Sequence, residues 1–177
     1  TLDVSKWDTS NVRDMQEMFR GASSLRIIDV SQWITTKVNP SDALLGKSTG
    51  FLSMFQDARS LESLDISNWD INQDVSVDHI FQGTTKLKEL KIGNKFKAEG
   101  IRTISSTHDY GHRYSDKWYK VTEPNNTLSV FDWANEYRDN PTGMVGTWVR
   151  EVLEMDSTLT FDGETIPPVK VTPNAPT

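Results

Sequence analysis

The chain has 177 residues, of which 36% are hydrophobic, with a formal net charge of −6 and no cysteine. This composition supports one or two small folded domains, and it excludes disulfides, thiolate metal sites and cysteine nucleophiles. The negative charge argues against nucleic acid as a partner, because nonspecific affinity for phosphates comes from clustered Lys and Arg. No apolar run approaches the roughly 20 residues of a membrane-spanning helix, so no membrane insertion is expected.

The amino-terminal half is a repeat. Equivalent aliphatic residues recur at Leu2, Ile28, Leu64 and Leu90. Their spacings of 26, 36 and 26 residues give a period of 26, with ten extra residues in the second unit. The extra residues fall around Lys37 to Gly50, where Pro and Gly favour a loop. An interruption of a regular array is a candidate place for a binding loop.

Each unit combines a predicted strand, a tryptophan and a predicted helix. The pattern L-x-x-L-x-L predicts a short strand, and Trp7, Trp33 or Trp69 follows it. The apolar spacing in "NVRDMQEMF" then predicts one face of a short helix, and "GASS" predicts a return turn. The fold class expected is α/β, a leucine-rich-repeat solenoid of parallel strands with short helices. In it the three tryptophans form a buried ladder.

The repeat also carries a resemblance to a known family. "LDVSKWDTSNVRDMQEMFRGASSL" resembles the unit of the BspA-like leucine-rich-repeat surface proteins of bacteria. The match covers residues 1–94, although the second unit carries the insertion and the third has Val77 and Ile80 in place of the two Met residues. The resemblance implies a non-enzymatic adhesin at the bacterial cell surface, outside the cell, which binds a host extracellular-matrix or mucosal glycoprotein. Because L-x-x is missing before Leu2, we expect the first unit to be incomplete.

The carboxyl-terminal half loses the repeat and becomes rich in aromatic residues. Strands are predicted at "RTISS", "KWYKV", "TLSVFDW", "GTWVREVLE" and "STLTF", with turns at "TEPNN" and "RDNPTG". The predicted organisation is therefore repeats over 1–94, a β-rich cap or domain over 95–163, and a Pro-rich linker over 164–177. A cap is expected because the end of a repeat array exposes apolar side chains and a strand edge.

Strand residues that face away from the core form columns with a spacing of about 4.8 Å. These candidate ligand-binding residues are Asp3, Asp29, Asp65, Ser5, Ser31, Ser67, Gln32 and Asn68. Adjacent carboxylates repel each other by roughly 1 kcal/mol in water, so the Asp column must be solvated, hydrogen-bonded or cation-bound. Three interpretations stay open: each Asp bonds its own turn, the column forms an acidic groove for a ligand, or it holds a cation such as calcium.

Catalytic chemistry is not indicated. His108 and His112 in "HDYGH" have helical spacing for a metal, but Gly111 between them argues against the helix. Nothing in the sequence assembles a nucleophile, a base and an oxyanion hole, so neither an enzyme nor a cofactor is predicted. Two alternatives to adhesion remain: a structural stalk that displays other domains, and a carbohydrate-binding module that uses the Trp-rich second half. The sequence gives no oligomeric state.

Overall fold

The computed structural model describes residues 2–38, 50–71, 75–97, 114–140, 142–152, 159–161 and 164–166. Its elements within these ranges are β1 (Ser63–Ile66), β2 (Glu89–Ile92), β3 (Tyr114–Lys120), β4 (Glu123–Ser129), α1 (Val130–Asp139), β5 (Gly146–Val152), β6 (Leu159–Phe161) and β7 (Glu164–Ile166). Five strands form a mixed sheet in the order β1-β2-β5-β3-β4, and β6 pairs with β7 in an antiparallel sheet of two strands.

The repeats lie side by side in parallel. The strands β1 and β2 pair in parallel, with Leu64 opposite Leu90. The two earlier strand positions are reduced to isolated parallel bridges, Leu2 with Ile28 and Ile27 with Ser63. The repeat period therefore sets the register between units, as the sequence indicated, although only the last two predicted strands are regular.

The predicted leucine-rich-repeat solenoid with short helices is wrong. The sheet is mixed, and the segments that follow each tryptophan form successive turns. The only α-helix in the described ranges is α1, and it starts within "TLSVFDW", which was predicted to be a strand. Ser129 begins this helix, because its hydroxyl accepts a hydrogen bond from the backbone N–H of Asp132.

The backbone of the turn segment explains why no helix forms there. Alternate N–H groups bond within the segment to the carbonyl three residues back, as from Met18 to Met15 at 3.4 Å. The N–H groups between them bond to the next unit, as from Phe19 to the carbonyl of Met54 at 2.9 Å. Glu17 has φ of 56°, which a right-handed helix does not tolerate. Half of the N–H groups that would bond within a helix therefore bond to the next unit and hold the two units together.

Aromatic side chains stack through the core from unit to unit. Phe19, Phe55 and Phe81 form a continuous stack with ring centroids 5.5 and 6.3 Å apart. The indole N–H of Trp69 donates to the carbonyl of Val30 at 3.0 Å, and that of Trp33 donates to the equivalent carbonyl of Val4. The predicted ladder is buried at its second and third positions. The prediction is wrong for Trp7, which is 50% exposed although its ring stacks on Trp33.

The carboxyl-terminal strands continue the sheet of the repeats. The strand β5 pairs antiparallel with β2, and β3 and β4 follow it. The helix α1 packs on the core side, where the Tyr137 hydroxyl donates to the carbonyl of Phe96 at 2.8 Å. The predicted strands "KWYKV", "GTWVREVLE" and "STLTF" overlap β3, β5 and β6, whereas "TEPNN" lies mostly in β4 and is not a turn. The predicted strand "RTISS" falls outside the described residues.

Candidate binding face

The face of the five-stranded sheet that points away from the core is here called the outer face. Alternation along the strands places core residues such as Leu90, Trp148 and Trp118 on one side and their chain neighbours on the other. Pairing connects the outward residues into a row across the sheet. The row consists of Ile27, Ser63, Glu89, Val149, Tyr119 and Thr127. All six are exposed or partly exposed.

A second outward row contains the Asp column. Asp3, Asp29 and Asp65 lie beside one another in consecutive units, as the sequence predicted. Pairing of β1 with β2 then places Lys91 next to Asp65, and its ammonium lies 3.1 Å from the carboxylate. The acidic column is therefore neutralised at its carboxyl-terminal end and keeps its negative charge at the amino-terminal end.

Each Asp of the column bonds its own turn. The same carboxylate oxygen accepts the hydroxyl and the backbone N–H of the Ser two residues later, as at Asp3 and Ser5 with distances of 2.7 and 3.1 Å. The geometry repeats at Asp29 with Ser31 and at Asp65 with Ser67. This is the first of the three interpretations that the sequence left open. In each case the Ser bonds one carboxylate oxygen, and at Asp65 the other oxygen accepts the ammonium of Lys91.

These bonds also affect the acidity of the column. The Ser5 hydroxyl and N–H stabilise the charged form of Asp3 and lower the pKa of its carboxyl. Burial acts to raise the pKa of Asp65, but the bonds from Ser67 and Lys91 outweigh it, and the pKa is lowered. Both carboxylates are thus ionised at neutral pH.

The remaining predicted site residues lie at the turn after the strands. Asn68 donates to the carbonyl of Ser31 at 3.0 Å, and Gln32 donates to the hydroxyl of Ser31 at 3.4 Å. Both side chains are exposed. The Ser column ends at Gly93, because a Cβ there would overlap the carbonyl oxygen of Ser67. All eight predicted residues therefore belong to one edge of the outer face. The insertion around 37–50 is described only at its ends, and residues 39–49 lie outside the described ranges.

The outer face also includes residues that the sequence did not indicate. Tyr119, Thr127, Thr147 and Val149 join it because β5 pairs with β2. None of them belongs to a repeat, so no column could be traced to them. The sequence signal that could have indicated them is the alternation of buried and outward residues within "GTWVREV". Trp148 and Arg150 are buried, while their chain neighbours are partly exposed.

A charged column borders the face where the strands begin. Glu62 accepts hydrogen bonds from Arg26 of the preceding unit and from Lys88 of the following unit, at 2.7 and 2.8 Å. The bonds from Lys88 and Arg26 lower the pKa of Glu62 to about 2. The column thus links three units through alternating charge.

This column leads to a pH-dependent prediction. The folded pKa of Glu62 lies below its ordinary 4.5, so its stabilisation is complete above pH 4.5 and is lost as the pH falls towards 2. At pH 7 we expect Glu62→Gln to lower the free energy of unfolding by up to about 1 kcal/mol, since the pair is solvent-screened. Urea unfolding of the variant and the parent between pH 7 and pH 3 measures this difference in free energy. The difference between variant and parent should shrink with acid and with salt, and a constant difference would contradict the assignment.

The comparison with known families gives one match. A family model described as "Mycoplasma protein of unknown function, DUF285" matches residues 1–117 and 53–160. The chain belongs to the DUF285 family. No curated protein and no solved structure matches the chain.

Other candidate chemistry in this DUF285 chain is limited. His108 and His112 lie outside the described residues. Within the described ranges, no group of three or more His, Asp or Glu side chains has an arrangement that could hold a metal ion. None of the helices in those ranges has the length and apolar character needed to span a membrane. The outer face therefore remains the candidate site that the geometry defines best.

Proposed function

We propose that this DUF285 chain is a non-enzymatic binding module of a bacterial cell surface, which recognises a host extracellular-matrix or mucosal glycoprotein through its outer face. The resemblance to BspA-like surface proteins supports the location and the ligand class. The observation that carries the proposal is the outer face, whose first row crosses all five strands and consists of described residues that are exposed or partly exposed. Five steps of about 4.8 Å give the first row a length of about 24 Å.

The chemistry of the face fits a ligand with many hydroxyl groups or with positive charge. At one end, Asp3 and Asp29 are exposed carboxylates, and the bonds from Ser5 and Ser31 occupy one oxygen of each. Towards β3, Val149 and Tyr119 provide apolar and aromatic surface. Bonds from a ligand to charged acceptors contribute about 1.5–3 kcal/mol each, so several sites along an extended ligand give specific binding.

The alternative, a carbohydrate-binding module that uses the Trp-rich second half, needs exposed tryptophan rings on which a sugar can stack. The tryptophans of the second half, Trp118, Trp133 and Trp148, are at most 3% exposed and belong to the core. They offer no ring face to a sugar. A glycan would therefore have to bind at the outer face, where Tyr119 is the partly exposed aromatic side chain of the first row.

The test uses the whole chain on fibronectin, fibrinogen, mucin and a glycan array. We expect the double change Asp3→Asn and Asp29→Asn to weaken binding by about tenfold or more, because it removes charge while the amide oxygen still accepts the Ser bonds. Asp8→Asn is the matched control. Asp8 accepts the N–H of Ser10 in the same kind of turn, but outside the strands.

Tyr119→Ser tests the other end of the same face. It should weaken binding without changing the fold, because Tyr119 lies on the outward side of β3. Binding that persists unchanged in both outer-face variants would place the site elsewhere. If the parent chain binds none of the probes, the structural stalk becomes the better interpretation.

A further inference from the structure

Within the first row of the outer face, apolar side chains lie on both sides of a polar centre. Ile27 lies at one end, and Val149 with Tyr119 lies towards the other. Ser63 and Glu89 separate them, on β1 and β2. Ile27 is 53% exposed, and the other four residues are exposed or partly exposed. The row therefore offers two apolar contacts with a polar stretch between them.

The distance between the two apolar contacts matches the geometry of an extended polypeptide. Three strand-to-strand steps lead from Ile27 to Val149, a distance of about 14 Å. In an extended segment, side chains four residues apart face the same way and also lie about 14 Å apart. A segment that crosses the strands can therefore place one apolar side chain on each contact.

The residue midway along such a segment meets a carboxylate. It faces the same side, about 7 Å from either apolar residue, and so lies between Ser63 and Glu89. Glu89 is exposed, and no ion pair within the described ranges involves it. Asp65 of the second row, by contrast, is already paired with Lys91. The centre of the row therefore favours a Lys or Arg side chain on the ligand.

The small size of the face favours a single segment over a second copy of the chain. The strands β1 and β2 have four residues each, which gives the face a width of about 13 Å there. At that width and a length of about 24 Å it covers roughly 300 Å², well below the roughly 800 Å² that each partner buries in a standard interface. A glycan fits less well, because its hydroxyl groups leave the side chains of Ile27 and Val149 without apolar partners.

We propose that the first row binds an extended polypeptide segment of the pattern apolar-x-basic-x-apolar, which crosses the strands. The apolar side chains contact Ile27 at one end and Val149 with Tyr119 at the other, and the basic side chain pairs with Glu89. This binding mode rests on the proposed function, and it narrows the ligand to the polypeptide part of the glycoprotein.

The test selects binders of the whole chain from a displayed library of random twelve-residue peptides. We expect the enriched peptides to share two apolar residues four apart, with Lys or Arg midway. A synthetic consensus peptide should bind less tightly as the salt concentration rises, because the ion pair lies at the surface. Moving its basic residue by one position turns that side chain to the opposite side of the segment and should weaken binding about tenfold.

Glu89→Lys tests the centre of the row. It should weaken binding of the consensus peptide about tenfold or more, and it should tighten binding of the same peptide with Glu at the middle position. A variant that failed to fold would bind neither peptide, so the reversed preference identifies the contact. Glu136→Lys is the matched control and should change neither affinity. It makes the same charge change at an exposed position of α1, which packs on the core side of the sheet.

Ile27→Ser tests the first apolar contact. It should weaken binding of the consensus peptide about fivefold, while Tm stays close to that of the parent because Ile27 is largely exposed. A peptide with Ser at the corresponding apolar position should no longer distinguish the variant from the parent.

Several results would overturn the proposal. They are enriched peptides without this spacing, equal binding of the consensus peptide to the parent and to Glu89→Lys, and a glycan whose binding Ile27→Ser removes. A dimer of the parent chain that Ile27→Ser dissociates would also overturn it, since a second copy would then occupy the row.

The proposed function fails or stands separately, through host-protein binding that Asp3→Asn with Asp29→Asn weakens. If that binding keeps its full strength in Glu89→Lys, the proposed function stands and the polypeptide segment is wrong. If the consensus peptide binds as expected while no host protein does, the segment stands and the proposed function is wrong.

Discussion

Trp69→Ala is expected to lower the free energy of unfolding by about 3–5 kcal/mol, the usual cost of deleting a large core side chain. Trp69 is fully buried, its ring centroid lies 4.9 Å from that of Phe51, and its indole N–H bonds to the carbonyl of Val30. The change therefore opens a cavity and removes one of the two hydrogen bonds to the Val30 carbonyl, which still accepts the backbone N–H of Trp33. Urea unfolding followed by circular dichroism measures the loss.

Two variants separate packing from other effects. Trp69→Phe keeps an aromatic ring but loses the N–H, so it should cost less than the Ala variant. Trp7→Ala truncates the same residue type at the half-exposed position of the ladder. It loses the stacking on Trp33, about 1 kcal/mol, and the burial of half a side chain, so it should cost less than Trp69→Ala. Equal losses at positions 7 and 69 would show that burial in the ladder is not what stabilises the units.

The period of the repeat could be predicted from the sequence, because units that stack on one another need similar side chains at equivalent positions. Every unit must place an aliphatic pair, a tryptophan and a phenylalanine at equal intervals to stack on its neighbour. The stack of Phe19, Phe55 and Phe81 is the result. The ten-residue insertion did not disturb this, since stacking depends on equivalent positions and not on equal chain length.

The helices were wrongly predicted because apolar spacing does not distinguish a helix from successive turns. Met15 and Phe19 are buried at a spacing of four, which both structures allow. The difference lies in the partner of each N–H, and a single unit does not contain that partner. The signals against a helix were Gly21 and its equivalent Gly83, both at positive φ. In the second unit the equivalent position is Asp57, with φ of 59°, so the glycine does not recur in every unit.

The candidate site was predictable only in its repeating part. Asp and Ser two residues apart predict a turn in which the side chain bonds its own backbone, and Asp3, Asp29 and Asp65 all show it. The extension through Val149 and Tyr119 depends on an antiparallel pairing between strands far apart in the chain. Such pairing is decided by tertiary contacts, which a repeat pattern does not encode.

The carboxyl-terminal region is what ends the stack. The edge of β2 would expose unpaired N–H and C=O groups if β5 did not pair with it. On the core side, Trp133 stacks on Tyr137 with centroids 5.6 Å apart, and Tyr137 contacts Phe96 of the last unit. Burial raises the pKa of the Tyr137 hydroxyl well above its usual value, so this contact stays neutral at physiological pH.

A fragment of residues 1–97 is therefore expected to lose cooperative unfolding and to form large soluble or insoluble assemblies. It uncovers the edge of β2 together with Leu90, Ile92 and Phe96, which are at most 2% exposed in the whole chain. A fragment of residues 1–152, which keeps β3, β4, α1 and β5, is the control and should melt cooperatively as a monomer. Light scattering and thermal unfolding measure both fragments. A monomeric fragment 1–97 with a sharp transition would show that the repeats do not need the strands that follow them.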